Sequence, residues 1–195
     1  MDRKHRQMRS MTAGFQTRTD EGDLYIEGYF SVFGGVYELW EGASETIAQG
    51  AFRETLDCDI RALIDHESRL VLGRTAAGTL ELREDETGLW GRVKINPNDQ
   101  DAMNLYERVK RGDVDQCSFG FDILDEETAT LDDGGVRWTI KKVRLHEVSV
   151  VTFPAYEDTA VTARKRDYED IRKRKKEAWQ NAMRQKLKGV NEIGT

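Results

Sequence analysis

Between Leu24 and Phe153 the chain breaks into short runs of β-forming residues separated by glycines and acidic turn residues, and this punctuation limits the fold more than any other feature. Runs this short are strand-length, and Gly and Asp between them favour tight connections. Leu24, Tyr25, Ile26, Tyr29, Phe30, Val32 and Phe33 make the first run, with Gly28 as a bend. Glu45-Thr46-Ile47 then leads into a short helix over residues 50–56. Further runs at 60–64, 70–74, 80–83 and 89–95 read as successive antiparallel strands, divided by Gly78 and by Asp85-Glu86-Thr87-Gly88. Strands over 116–124, 136–142 and 143–153 complete the series. The Asp132-Asp133-Gly134-Gly135 loop joins the first two, and Pro154, which cannot donate to a ladder, ends the last.

One helix is fully specified. Asn98 or Asp99 can cap it, and Asp99 and Asp101 put negative charge at its start. Ala102, Leu105, Tyr106 and Val109 form its apolar stripe, Arg108, Lys110 and Arg111 fill its last turn, and Gly112 stops it. The fold class is therefore α+β and mainly β. A closed or nearly closed antiparallel β-barrel with flanking helices is the economical way to bury so many short strands.

Composition adds a boundary. The net charge is −6, but residues 164–188 carry 11 Lys/Arg against 4 Asp/Glu, which leaves −13 on the rest. An acidic body with a basic end is a two-part design. It predicts a mobile N-terminal arm over residues 1–20, a body over 21–163 and a basic helical tail over 164–195. In the tail, Tyr168, Ile171, Trp179, Met183 and Leu187 give a broken apolar stripe on a long, partly exposed helix. No apolar run is long enough to span a membrane, and residues 1–18 are basic without the apolar stretch of a secretory signal. Cys58 and Cys117 lack metal-ligand spacing and read as free thiols in a reducing cytoplasm. Three scattered histidines without a His-Glu-x-x-His spacing build no zinc site, so neither metal nor cofactor is expected.

The chemistry-bearing residues are a lone histidine, His66, just past an apolar run, a serine, Ser118, and a glutamate, Glu147. Serine is a poor nucleophile until an imidazole takes its proton, and the imidazole works best when a third group fixes its tautomer. Such residues occur in almost any chain, so their surroundings decide their meaning. Three segments matter together: Ala62-Leu63-Ile64-Asp65-His66-Glu67 running on to Leu72-Gly73-Arg74, Cys117-Ser118-Phe119-Gly120-Phe121, and Leu145-His146-Glu147-Val148-Ser149 running on to Tyr156. In this order they resemble the prohead serine protease family of tailed phages, the capsid-maturation proteases, which are distantly similar to herpesvirus assemblin. The resemblance runs from Gly28 to Tyr156 and is most specific from Leu105 to Phe121.

The resemblance implies a serine endopeptidase with Ser118 as nucleophile, His66 as general base and Glu147 as the group that orients His66. Assemblin-type enzymes carry a histidine in the third place, and His146 is adjacent. Neighbouring strand residues point to opposite faces, so only one of the two can face the site, and alternation alone does not say which. Cys117, next to Ser118, should face away from the site as a small buried side chain. Asp65 and Glu67 flank His66 where relatives often have an amide and an aspartate. Backbone N–H groups near Ala155 and Tyr156 are the implied oxyanion donors. The implied substrate is a major capsid protein or scaffold segment, cut inside assembling proheads in the host cytoplasm. Self-cleavage of the tail, a homo-oligomer, and weak nucleic-acid contact through the tail's charge complete the expectation, with a catalytically silent assembly scaffold as the alternative.

Overall fold

The sequence runs become strands, and four further strands join them. The computed structural model describes residues 7–12, 14–153 and 158–192. They divide into two units, Met1–Tyr156 and Glu157–Thr195. In the first, the strands are β1 (Gln7–Thr12), β2 (Gln16–Asp20), β3 (Asp23–Val32), β4 (Tyr37–Trp40), β5 (Ala43–Ile47), β6 (Arg61–Ile64), β7 (Val71–Arg74), β8 (Leu80–Glu84), β9 (Gly88–Ile95), β10 (Gln116–Thr130) and β11 (Val136–Val151), with helix α1 (Gln100–Arg111) before β10.

Helix α1 starts and stops at the residues that local chemistry dictates. The Asp99 carboxylate accepts from the N–H groups of Asp101 at 3.0 Å and Ala102 at 3.3 Å, satisfying two donors that the first turn leaves open. Gly112 closes the helix at φ 85°, a left-handed conformation that glycine adopts without steric cost. The buried face consists of Ala102, Leu105, Tyr106 and Val109, the stripe read from the sequence.

Two sheets result. The first has seven strands: β1-β10-β11-β5-β4 in order, with β6 also paired to β11 and β7 to β6. Strand β11 is long enough to serve two neighbours on one edge, taking β5 beside Val136–Ile140 and β6 beside Glu147–Val150. Both of these pairings are parallel, where all-antiparallel neighbours were expected. The second sheet, β2-β3-β9-β8, is antiparallel throughout. Among the described residues no ladder joins the two sheets, so the architecture is mainly β α+β, two sheets sharing a core. That core combines Ile26, Phe30, Leu89 and Val93 from the second sheet with Phe119, Phe121, Val148 and Val150 from the first, and with the α1 stripe. Fully burying such side chains stabilises by about 1.5–3 kcal/mol each.

Three local expectations change. The segment over residues 1–20, read as a mobile arm, contributes β1 and β2 within its described part. Arg9 explains the first: its guanidinium forms a buried ion pair with Glu45 at 2.5 Å and lies 5.7 Å from the Phe121 ring centre. Residues 50–56 hold only a single 3-10 turn, Arg53–Thr55. The expected strands over 136–142 and 143–153 are one continuous strand.

The second unit contains helix α2 (Asp158–Glu192), which begins six residues before the charge boundary at Arg164. Trp179 and Met183, one turn apart, are exposed on it.

Candidate active site

His66 lies in a tight reversal just beyond β6. The turn is tied to itself by Glu67 N–H to Ile64 O at 2.9 Å and Leu70 N–H to Glu67 O at 2.8 Å, and to β11 by Asp65 N–H to Val150 O at 3.0 Å. Asp65 and His66 both adopt left-handed backbone conformations, at φ 47° and 61°. These are uncommon for residues other than glycine, and such strain gathers at functional sites. The turn folds the imidazole back over β11, where His66 Nδ1 donates to Glu147 Oε1 at 2.8 Å.

Strand pairing sets the rest of the geometry. Ser118 on β10 is directly opposite Ser149 on β11, and Gly120 is opposite Glu147. Ser149 and Glu147, two residues apart, share a face with Ser118. The opposite face of β10 carries Cys117, Phe119 and Phe121 into the core. Phe119 meets Phe52 edge-on at 5.5 Å and stacks on Phe121 at 5.1 Å, which anchors the strand beneath the serine. Between Gly120 and Phe121 the register skips from Glu147 to Leu145, leaving His146 as the extra residue of a β-bulge. The strict alternation read from the sequence therefore fails here: Leu145 joins the core while Glu147 faces the site.

Glu147 is 3% exposed, yet both its oxygens are satisfied: His66 holds Oε1, and the Ser149 hydroxyl donates to Oε2 at 2.6 Å. A buried carboxylate survives only with such partners. With Nδ1–H committed to Glu147, His66 Nε2 is the basic nitrogen. Nε2 and Ser118 Oγ are both buried, and among the described residues neither makes a hydrogen bond. The structure thus joins His66 to Glu147 directly, and brings Ser118 to the adjacent strand without a bond to the imidazole.

The neighbouring candidates separate cleanly. His146 is turned away, its Nε2 paired with Asp122 Oδ2 at 2.8 Å. Cys117 is fully buried, its sulfur directed at the carbonyls of Tyr29 and Phe30 at 3.4 Å, and burial pushes its thiol up to about 12. Asp65 directs its carboxylate to Thr152, accepting from the backbone N–H at 2.7 Å and the hydroxyl at 3.3 Å. Glu67 is 3.8 Å from Arg69. Ala155 and Tyr156, the implied oxyanion donors, lie outside the described residues. Among the described residues no three His, Cys, Asp or Glu side chains gather as metal ligands would. Alternation along the sequence puts Ser149 on the face of Glu147, two residues on, but gives it no role.

An imidazole held by a buried carboxylate beside a buried serine hydroxyl is the residue set that serine hydrolases use. Comparison with known families agrees in class: residues 13–174 match the caudovirus prohead serine protease model, and the chain belongs to that family. It is similar to the prohead protease of Enterobacteria phage HK97, 30% identical over 144 residues that cover 72% of this chain and 60% of that protein. The solved structure of the bacteriophage T4 capsid assembly protease aligns over 74% of this chain and 98% of its own, with a TM-score of 0.44 and 10% identity.

Proposed function

We propose that this protein is a serine endopeptidase that cuts capsid or scaffold protein inside assembling phage proheads, with Ser118, His66 and Glu147 as its catalytic residues. The observation that carries the reading is the 2.8 Å bond from His66 Nδ1 to the buried Glu147 carboxylate, which leaves Nε2 free to act as a base. Family membership supports the substrate class.

In the reaction, His66 Nε2 takes the proton of Ser118 Oγ as the oxygen attacks the scissile carbonyl. The resulting imidazolium returns that proton to the leaving amine, and the acyl group stays on Ser118. Water, deprotonated by the same imidazole, then releases the acid and restores the serine. Glu147 holds the tautomer and supports the imidazolium charge in both steps. The open His66–Ser118 contact is compatible with this role, because catalytic hydrogen bonds commonly tighten only with substrate bound.

Co-expression of the wild-type protein or Ser118→Ala with a capsid precursor, followed by intact-mass measurement, tests the proposal. Truncated precursor with the wild type alone is expected, together with any trimming of the chain's own basic tail. A precursor left whole by the wild type, or cut equally by Ser118→Ala, overturns it.

A further inference from the structure

We propose that Ser149 is a positioning residue of this site, acting through Glu147. The inference rests on the reading of His66 and Glu147 above and extends it by a fourth side chain. Ser118 and Ser149 are opposite each other on neighbouring strands, both fully buried, and chemically identical. Their hydroxyls nevertheless differ in use. Among the described residues Ser118 Oγ makes no hydrogen bond, while Ser149 donates to Glu147 Oε2 at 2.6 Å.

That contact matters because a glutamate side chain has three rotatable bonds and Glu147 is reached by His66 through one oxygen only. Without a second anchor the carboxylate can turn about its terminal bond, and Oε1 moves off the line to Nδ1. The Ser149 hydroxyl fixes this torsion from a position that the sheet itself sets, since residues i and i+2 of one strand share a face. A short O–H···O⁻ bond in a buried setting is among the stronger neutral-to-charged hydrogen bonds. The order of support is then Ser149 to Glu147 to His66, ending at the imidazole whose Nε2 is left as the basic nitrogen.

The test uses the full chain as wild type, Ser149→Ala and Ser149→Thr, with Ser118→Ala as the blank. One readout is the rate at which a fluorophosphonate reagent labels Ser118. The other is the downfield proton NMR resonance of His66 Nδ1–H, which reports the bond to Glu147 whether or not the protein is an enzyme. Ser149→Ala should slow labelling by about 10- to 100-fold, the range that a displaced supporting contact costs, and should shift or broaden the resonance. Ser149→Thr keeps the hydroxyl and should recover most of both. Labelling at the wild-type rate in Ser149→Ala with the resonance unmoved overturns the positioning role alone. A wild type that never labels, but whose resonance still moves in Ser149→Ala, sinks the hydrolase reading and upholds the contact.

Discussion

Replacing Glu147 by Gln removes one charge and almost nothing else. The amide is isosteric with the carboxylate, its oxygen can still accept from His66 Nδ1–H, and its N–H can donate to Ser149. What disappears, under the proposed mechanism, is the attraction between the carboxylate and the imidazolium that forms during attack. At the observed 2.8 Å separation that attraction is about 6 kcal/mol for an effective dielectric of ~20. The neutral hydrogen bond that remains returns about 1 kcal/mol. A net loss of about 4–5 kcal/mol corresponds to roughly 10³- to 10⁴-fold in rate, at ~1.4 kcal/mol per decade. The assay is fluorophosphonate labelling of Ser118 followed by intact mass, with near-UV circular dichroism to show that the fold is kept. His146→Ala is the companion variant, expected within about twofold of wild type because His146 is engaged with Asp122 on the far side of the bulge. Activity of Glu147→Gln within tenfold of wild type, or an equal loss in His146→Ala, would refute the reasoning.

The remaining predictions concern the frame that holds the site. Glu45→Ala leaves the Arg9 guanidinium buried without its carboxylate, from a pair with side chains 5% and 0% exposed. Stability should fall by about 3–5 kcal/mol, lowering the urea midpoint by about 1.5–2.5 M for an m-value of ~2 kcal/mol/M, while Arg9→Met with Glu45→Leu should recover most of the loss. An unchanged midpoint in the single variant contradicts the ion-pair account. Asp65→Ala loses the clamp on Thr152 and places alanine at φ 47°, so it should melt below Asp65→Gly, which loses the clamp but tolerates the backbone. The reverse order of melting would show that strain is not stored there. Cys117, fully buried with its thiol raised to about 12, should resist iodoacetamide in the native protein at pH 8, where exposed Cys58 reacts. One alkylated site native and two in denaturant is the expected mass result, and two in the native state would contradict the burial.

Residues acting on near neighbours were legible from the sequence. Asp99 and Gly112 bound α1 through contacts within a single turn, so its limits and buried stripe could be read directly. The three spaced motifs, through the family they resemble, name His66, Ser118 and Glu147 as candidates. Sequence alone left Glu147 and His146 as alternatives. The β-bulge that turns one to the site and the other toward Asp122 exists only in the pairing of β10 with β11.

Long-range pairing decided the rest. Strand β1 shows no apolar period, and what holds it is its ladder with β10 together with Arg9 reaching Glu45, 36 residues away. The parallel placement of β5 and β6 beside β11 likewise depends on partners brought together by the chain's overall path. His66 and Glu147 stand 81 residues apart, and their contact is created by a left-handed turn whose residues, Asp65 and His66, carry no glycine to announce it. By itself the sequence determined which local elements form, since caps, periodicity and turn residues act over a few positions, and its spaced motifs supplied the candidate site residues. Register, the bulge and the Ser149 contact with Glu147 arise only when distant strands meet, and tertiary structure alone decided them.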